Sequence, residues 1–589
     1  MTPVVHSDIL SRNINVESRV NVSNSFLTPI VMGILIFLIT ALVGVWAAPD
    51  RSAALNRFAL FIVGVALIGG ITWGAKRNVE TTLGVLGLVC SFLAVGLTVH
   101  YLLTVNWAEN EITRFPFLQQ IGLWLNSYNQ ELSELQNLHK NITGGLLVIL
   151  FPFSLGGTIW AWSRNYKFVA IFSLGMLLVI LLGLIMSISR GAWLGFGFGT
   201  IYGAYFYWRF GKGSRSRLKW VGDFIILTSI LLLCYGFLLI VTEPQYKEYL
   251  NRIMGDSVFS RADLWLDSLP LIQDYWYSGS GLGSTTMVYS SYVLLLHVPY
   301  LAHAHNLFLQ IALEQGIPGL ITFVFLIIFT IWGLSYAARN GNSLIRLFCA
   351  LTTASIAGLV IHGMVEAGIY AHQLVPVMFL PFGFAIALIS IIGDTHVSAT
   401  SSVSNPSLVH RIAIIGGLAP SLIIVLLFLW PGSSATLQAN LGAVAQTRAE
   451  LAIYHWPEWP IQDELRRNQA IDLTPAINHY KTALSINPDN LTALRRLGQI
   501  EISLGNYDAA QHYLEAAYRV APDQRATRQM LGEIYAINGN VPEAIDLWQP
   551  LDLRQGQLDA RQWWYYHIGS DDMADLIKQT ETQLTQTNQ

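Results

Sequence analysis

Long apolar runs constrain this sequence more than any other feature. A helix needs about 20 consecutive apolar residues to cross the hydrocarbon core of a bilayer. Runs of that order lie near 27–48, 57–75, 82–105, 143–162, 168–188, 191–208, 221–242, 316–336, 344–365, 374–392 and 411–430. Only 12% of the 589 residues are charged, against about a quarter in soluble proteins. The sequence therefore predicts an all-α, polytopic transmembrane bundle of about 11 spans, possibly 12.

The distribution of basic residues predicts the orientation of these spans. Residues 209–219 contain five basic side chains and no acidic one, and such loops stay in the cytoplasm. Counting outward from this loop gives a polar cytoplasmic N-terminus at 1–26 and a membrane domain at 27–430. The same count places two long loops, 106–142 and 243–315, and everything after residue 430 on the outer side.

The C-terminal part, 431–589, repeats itself with a period of 34 residues. Alanines recur at 476, 510 and 544, prolines at 488 and 522, and glycines at 498 and 532 and again at 505 and 539. Small residues where paired helices touch are typical of tetratricopeptide repeats, which stack into an α-solenoid. Such a domain binds a protein partner or packs against the membrane domain, and the sequence leaves both open.

Two arginines on the predicted outer side are candidates for binding an anion. Arg190 lies in the turn Ser189-Arg190-Gly191, where it snorkels to the headgroups or holds a phosphate through its planar fork. Arg261 lies near the start of an amphipathic stretch, 259–272, where it pairs with Asp263 or another carboxylate or faces an anion. Gly279 and Gly281 follow. They let backbone approach a ligand or form a flexible loop.

Histidines supply the candidate proton acceptors. His303 and His305 precede an apolar run on the predicted outer side, and a neutral imidazole accepts a proton from a hydroxyl. A second polar set, His362, Glu366 and His372, surrounds a short outer loop. His362 and Glu366 are four apart, so on one helix they share a face. No spacing in the sequence predicts a metal site.

Three motifs together resemble the O-antigen ligase and polymerase superfamily of bacterial membrane glycosyltransferases. His305-Asn306, nine residues and then Gly316-Ile-Pro-Gly319 is similar to the histidine motif of that family. The Ser189-Arg190-Gly191 turn and the segment from Arg261 to Trp265 resemble its other signatures. One departure is Trp276, where the family often has a proline before the glycine cluster.

The resemblance implies transfer of a glycan from a polyprenyl-pyrophosphate donor to an acceptor hydroxyl at the outer face of the bacterial inner membrane. It implies His305 as the base and Arg190 and Arg261 as stabilisers of the leaving pyrophosphate. Substrate contacts are expected from Asn306, Gln310, Trp265, Gly279 and Gly281. No metal and no cofactor is expected, and no nucleic acid partner.

The acceptor is a lipid, a glycan or a protein, and the repeat domain is a further site for a protein partner. Two other functions compete with this one. A transporter or flippase would distribute charges through several spans, and a membrane scaffold using the repeat domain would need few spans. The candidate charges gather instead on one predicted face.

Overall fold

The computed structural model describes residues 5–107, 116–127, 137–211, 261–299, 301–391, 406–454, 461–551, 553 and 556–587, with short helical pieces between 219 and 239. Within these residues the chain forms helices joined by turns and loops, and it contains no strand. The helices of the membrane half are α1 Val5–Ala47, α2 Arg51–Ala75, α3 Val79–Thr104, α4 Pro116–Ser127, α5 Lys140–Ser163, α6 Lys167–Met186, α7 Arg190–Arg209, α8 Arg261–Asp274, α9 Thr285–Val293, α10 Leu307–Asn340, α11 Ser343–Gly363, α12 Gly368–Ala371, the 3₁₀ turn Val375–Phe379, α13 Leu380–Ile391 and α14 Pro406–Leu429.

The repeat domain continues with a second series of shorter helices. These are α15 Ser433–Leu451, α16 Gln462–Arg467, α17 Thr474–Ile486, α18 Leu491–Leu504, α19 Tyr507–Val520, α20 Arg525–Ile537, α21 Val541–Trp548, α22 Gln557–His567 and α23 Asp571–Thr587. Gly505 and Gly539 follow α18 and α20 with φ of +82° and +80°. Glycine ends a helix in this conformation without steric cost, so the period of 34 residues corresponds to one helix pair.

Seven described helices are long and apolar enough to cross a membrane: Phe26–Ala47, Arg51–Ala75, Val79–Thr104, Lys140–Ser163, Lys167–Met186, Leu307–Asn340 and Ser343–Gly363. An eighth is added if Leu418–Leu429 and Ser433–Leu451, which meet at 92°, form one span. The apolar helical segment Val375–Ile391 is shorter. The multi-span helical bundle is thus confirmed, while the count of eleven stays a prediction. The run 221–242 and much of both long loops lie outside the described residues.

A stripe of glycines along α7 brings this helix against α11. A methyl group on Gly199 would lie 2.6 Å from the carbonyl oxygen of Ala354, and one on Gly195 would lie 2.8 Å from that of Gly358. Small residues at such positions let helix backbones approach closely inside a membrane. This packing fixes Arg190, at the first turn of α7, beside the C-terminal end of α11.

A break at Gly316 divides α10 into a short helix, 307–315, and a long span. Gly316 has φ of +71°, and a methyl group there would lie 2.7 Å from the carbonyl oxygen of Tyr277. The amide of Ile317 donates to the carbonyl of Trp276 at 2.9 Å. The second half of the histidine motif therefore has a structural role, because it holds the short helix against the segment that follows α8.

Candidate functional site

Glu366 lies at the centre of a polar cluster that follows the C-terminal end of α11. Its carboxylate pairs with Nε2 of His303 and, at 3.3 Å, with Nδ1 of His305. The side chain of Asn141 donates to it at 2.6 Å. Glu366 is 2% exposed and His305 is 26% exposed. A buried carboxylate thus holds one histidine that remains open to solvent.

Hydrogen bonding keeps the carboxyl of Glu366 ionised. Burial opposes ionisation, but bonds and charge interactions with His303 and His305 hold its pKa well below the usual value. The amides of Ala367 and Gly368 also donate to it at 3.0 Å each. With its Nδ1 turned to this carboxylate, His305 has Nε2 available to accept a proton.

His305 is held in a conformation that few non-glycine residues adopt. Its φ is +48°, in the left-handed region, which costs a residue with a side chain about 1–2 kcal/mol. Such backbone strain persists only where surrounding contacts impose it, and it gathers at functional sites. Hydrogen bonds of Asn306 and Gln310 hold the backbone on either side of His305.

Asn306 and Gln310 orient the histidine segment. The side-chain oxygen of Asn306 accepts from the amides of Phe308 and Leu309 at 3.0 and 3.1 Å, which caps α10. Its amide nitrogen donates to the carbonyl of Met364 at 3.0 Å. Gln310 accepts from the amide of Ala304 at 2.7 Å. Both side chains are buried and orient the segment, and their direct contact with a sugar stays a prediction.

The two arginines lie at the same cluster. Arg261 starts α8 and donates from Nη1 to the carbonyl of Val365 at 2.8 Å. Burial lowers the pKa of Arg261, Glu366 opposes this, and the charge of Arg190 lowers it further. Arg190 is exposed in the first turn of α7, where Ser189 caps the amide of Ala192 at 3.3 Å. Two guanidiniums within reach of each other's charge favour a ligand with at least two negative charges.

Trp265, Gly279 and Gly281 take structural positions. Trp265 is 5% exposed within an apolar cluster that includes repeat-domain side chains. Methyl groups on Gly279 and Gly281 would lie 2.3 Å from backbone atoms of Glu314 and Ala48 respectively. The glycines therefore admit the chain's own backbone, and all three residues have packing roles, while their contact with a substrate stays a prediction.

Sequence reasoning missed the roles of Glu366 and His303. Four-residue spacing paired Glu366 with His362 on one helix, but α11 ends at Gly363, so Glu366 points elsewhere. The family motif singled out His305 and gave His303 no role. The ring of His303 nevertheless lies 4.4 Å from that of His305 and bonds to the same carboxylate. The sequence did contain one indication of this role. Glu366 is a carboxylate at the boundary of a predicted span, and burying an ionisable group there is costly, so such groups are often functional.

His303, His305 and Glu366 are also a possible metal site. Among the residues that the structure describes, their potential ligand atoms all lie within 4.8 Å of one another. Two imidazoles and a carboxylate are a donor set that zinc accepts. No sequence spacing showed this because Glu366 is 61 positions from His305. A cation held there would replace the bond between Glu366 and Nδ1 of His305 on which the proton-accepting arrangement depends, so metal independence stays a prediction.

A second, partly buried ion pair supports the first turns of α10. Arg57 of α2 pairs with Glu314 at 3.2 Å and donates to the carbonyl of Ala371 at 2.5 Å. Glu314 also accepts from Gln310 at 2.7 Å and from Thr285 at 3.3 Å. This network joins the four helices α2, α9, α10 and α12.

Comparison with known families adds an independent assignment. Residues 175–324 match the family model described as O-antigen ligase. Residues 472–517 and 495–549 match two tetratricopeptide-repeat models. No curated protein matches the chain. The ligase match contains Arg190, Arg261 and His305, so the family recognised from three short motifs is confirmed over this segment.

Proposed function

We propose, from the O-antigen ligase domain at 175–324, that this protein transfers a glycan from a polyprenyl-pyrophosphate donor to an acceptor hydroxyl. The family match supports a membrane protein of glycosyltransferase type, and the donor, the acceptor and the outer location are our proposal. The observation that supports it best is the pairing of solvent-accessible His305 with buried, ionised Glu366 beside two arginines.

The proposed reaction exchanges one bond at the anomeric carbon for another. The acceptor oxygen attacks that carbon while its proton moves to Nε2 of His305. Glu366 holds the imidazole through Nδ1 and stabilises the imidazolium that forms, which is the role of the acid in a histidine–carboxylate pair. The bond from the anomeric carbon to the pyrophosphate oxygen breaks, and the polyprenyl pyrophosphate leaves.

Arg190 and Arg261 stabilise the charge that develops on the leaving group. Fixed guanidiniums do so without reorganising during the reaction, and Arg261 is fixed by its bond to Val365. In this proposal the two arginines supply the positive charge that a divalent cation supplies in metal-dependent transferases. Activity in the presence of a strong chelator is the corresponding expectation.

Surface-glycan profiling of variants in the host tests the proposal. We expect His305→Ala, Arg190→Ala and Arg261→Ala each to abolish or deplete one surface glycan, because general-base catalysis alone contributes about 10²–10⁴-fold. His372→Asn is a matched control, since His372 lies on the same side but bonds to the amide of Leu374 at 3.2 Å. Normal expression of all three alanine variants with every glycan unchanged would overturn the proposed function.

A further inference from the structure

The repeat domain holds the C-terminal end of α8 through a buried ion cluster. Asp274, the last residue of α8, accepts from Thr492 at 2.8 Å and from Nε of Arg496 at 3.0 Å, and it also pairs with Arg495. Burial opposes ionisation of Asp274, but the two guanidiniums hold its pKa below the usual value. All four side chains are buried, so this contact is fixed.

The residues that follow Asp274 continue the contact. The hydroxyl of Tyr275 bonds to Thr447 at 2.6 Å and accepts from Arg496 at 3.1 Å. The amides of Tyr277 and Ser278 donate to the side-chain oxygen of Asn440 at 3.0 and 3.1 Å. Backbone amides are thus recognised as they would be in a bound peptide.

A second point of contact lies after α9. His297 pairs with Glu450 through Nε2 at 2.9 Å, and its amide donates to Gln462 at 3.2 Å. Leu295 is 4% exposed in the apolar cluster that also contains Ile502 and Met530. Its φ is +59°, a costly conformation for leucine that the surrounding contacts must maintain.

We propose that the repeat domain binds the chain's own outer segment, residues 274–297, and that this docking positions Arg261 for catalysis. The proposal rests on the proposed function for the role of Arg261. Asp274, Arg495 and Arg496 are then positioning residues that act through α8.

Helix α8 is the connection between the two ends. Arg261 stands at its first residue and bonds to Val365 beside the histidine cluster, and Asp274 stands at its last. At 1.5 Å per residue the two lie about 20 Å apart. A helix held at both ends restricts the positions that its first side chain, Arg261, can take. Stabilisation of a leaving group depends on charges that are already in position. Release of the Asp274 end therefore frees Arg261 to move.

Hydrogen exchange on the full-length protein tests the docking without any substrate. We expect Asp274→Asn to speed amide exchange across 264–274 by about tenfold or more, since local opening sets exchange rates. Glu80→Gln is the matched control, because it removes a carboxylate paired with Arg164 at 2.7 Å, away from this contact. Unchanged exchange in Asp274→Asn would show that the ion cluster does not hold α8.

A removable covalent link tests the positioning of Arg261. The side chains of Asp274 and Thr492 bond at 2.8 Å in the wild type. The double variant Asp274→Cys/Thr492→Cys replaces them with two cysteines, which oxidation can join in a disulfide. We expect the reduced form to transfer glycan at least tenfold more slowly than the wild type and the oxidised form to recover. Asp274→Cys alone should not recover on oxidation.

The outcomes separate the two proposals. Suppose that the reduced double variant keeps full activity although amide exchange across α8 becomes faster. That result would overturn the positioning of Arg261, while the docking of 274–297 on the repeat domain would stand. A wild-type protein that transfers no glycan from a polyprenyl-pyrophosphate donor would overturn the proposed function, while the exchange result would still decide the docking.

Discussion

At the scale of single residues, the site depends on a carboxylate that local spacing could not reveal. His305 was predictable because its motif is continuous, from His305 to Gly319. Glu366 was not, because it meets His305 only after α10 and α11 have crossed the membrane and returned. Spacing instead suggested a helical pair with His362, and the end of α11 at Gly363 removes that pair.

We expect Glu366→Gln to lower the transfer rate by about 10²-fold or more, because the amide no longer stabilises the imidazolium or selects its tautomer. The measurement is the initial rate of glycan transfer by purified protein at saturating donor. His303→Asn serves as the comparison, since it removes the other bond to the same carboxylate but leaves His305 in place. A Glu366→Gln rate equal to that of the wild type would exclude the histidine–carboxylate pair.

At the scale of secondary-structure elements, the glycines of the ligase segment act mainly through packing. The sequence predicted the helices from their apolar runs, and it predicted that Gly279 and Gly281 admit a ligand or form a flexible loop. It could not show what approaches each glycine, because the neighbouring backbones come from distant parts of the chain. Gly281, for example, lies against Ala48.

Gly316→Ala should destabilise the protein by about 1–2 kcal/mol from its positive φ alone, with a further cost from the contact with Tyr277. Thermal unfolding in detergent measures this loss. Gly175→Ala on α6 is the control, since a methyl group there meets nothing within 4 Å. Equal melting temperatures for both variants would show that the break in α10 is not required.

At the scale of the whole molecule, two parts that the sequence predicts separately form one connected structure. The 34-residue period predicted the solenoid, and the basic loop predicted its side of the membrane. The docking of 274–297 on the repeat domain was not predictable, because it joins segments more than 140 residues apart that share no periodicity. The repeat domain therefore packs against the membrane half of the chain, and a protein partner of this domain stays a prediction.

The docking should respond to acid in a defined direction. The pKa of Asp274 is lower in the folded protein than its ordinary value of about 3.9. Its stabilising contribution is therefore fully present at pH 7 and lost as the pH falls below about 4. Asp274→Asn should lower the melting temperature at pH 7, since breaking a buried ion pair costs about 3–5 kcal/mol. The difference from wild type should shrink between pH 4 and pH 3, and a constant difference would contradict the ionised state.

Acceptor-dependent release of polyprenyl pyrophosphate by the purified protein tests the central proposal most directly. With a polyprenyl-pyrophosphate-linked glycan, an acceptor and a chelator present, we expect the wild type to release it. His305→Gln, folded to the same melting temperature, should release it at least about 10²-fold more slowly. Equal release by His305→Gln and the wild type would contradict the assignment of His305 as the base.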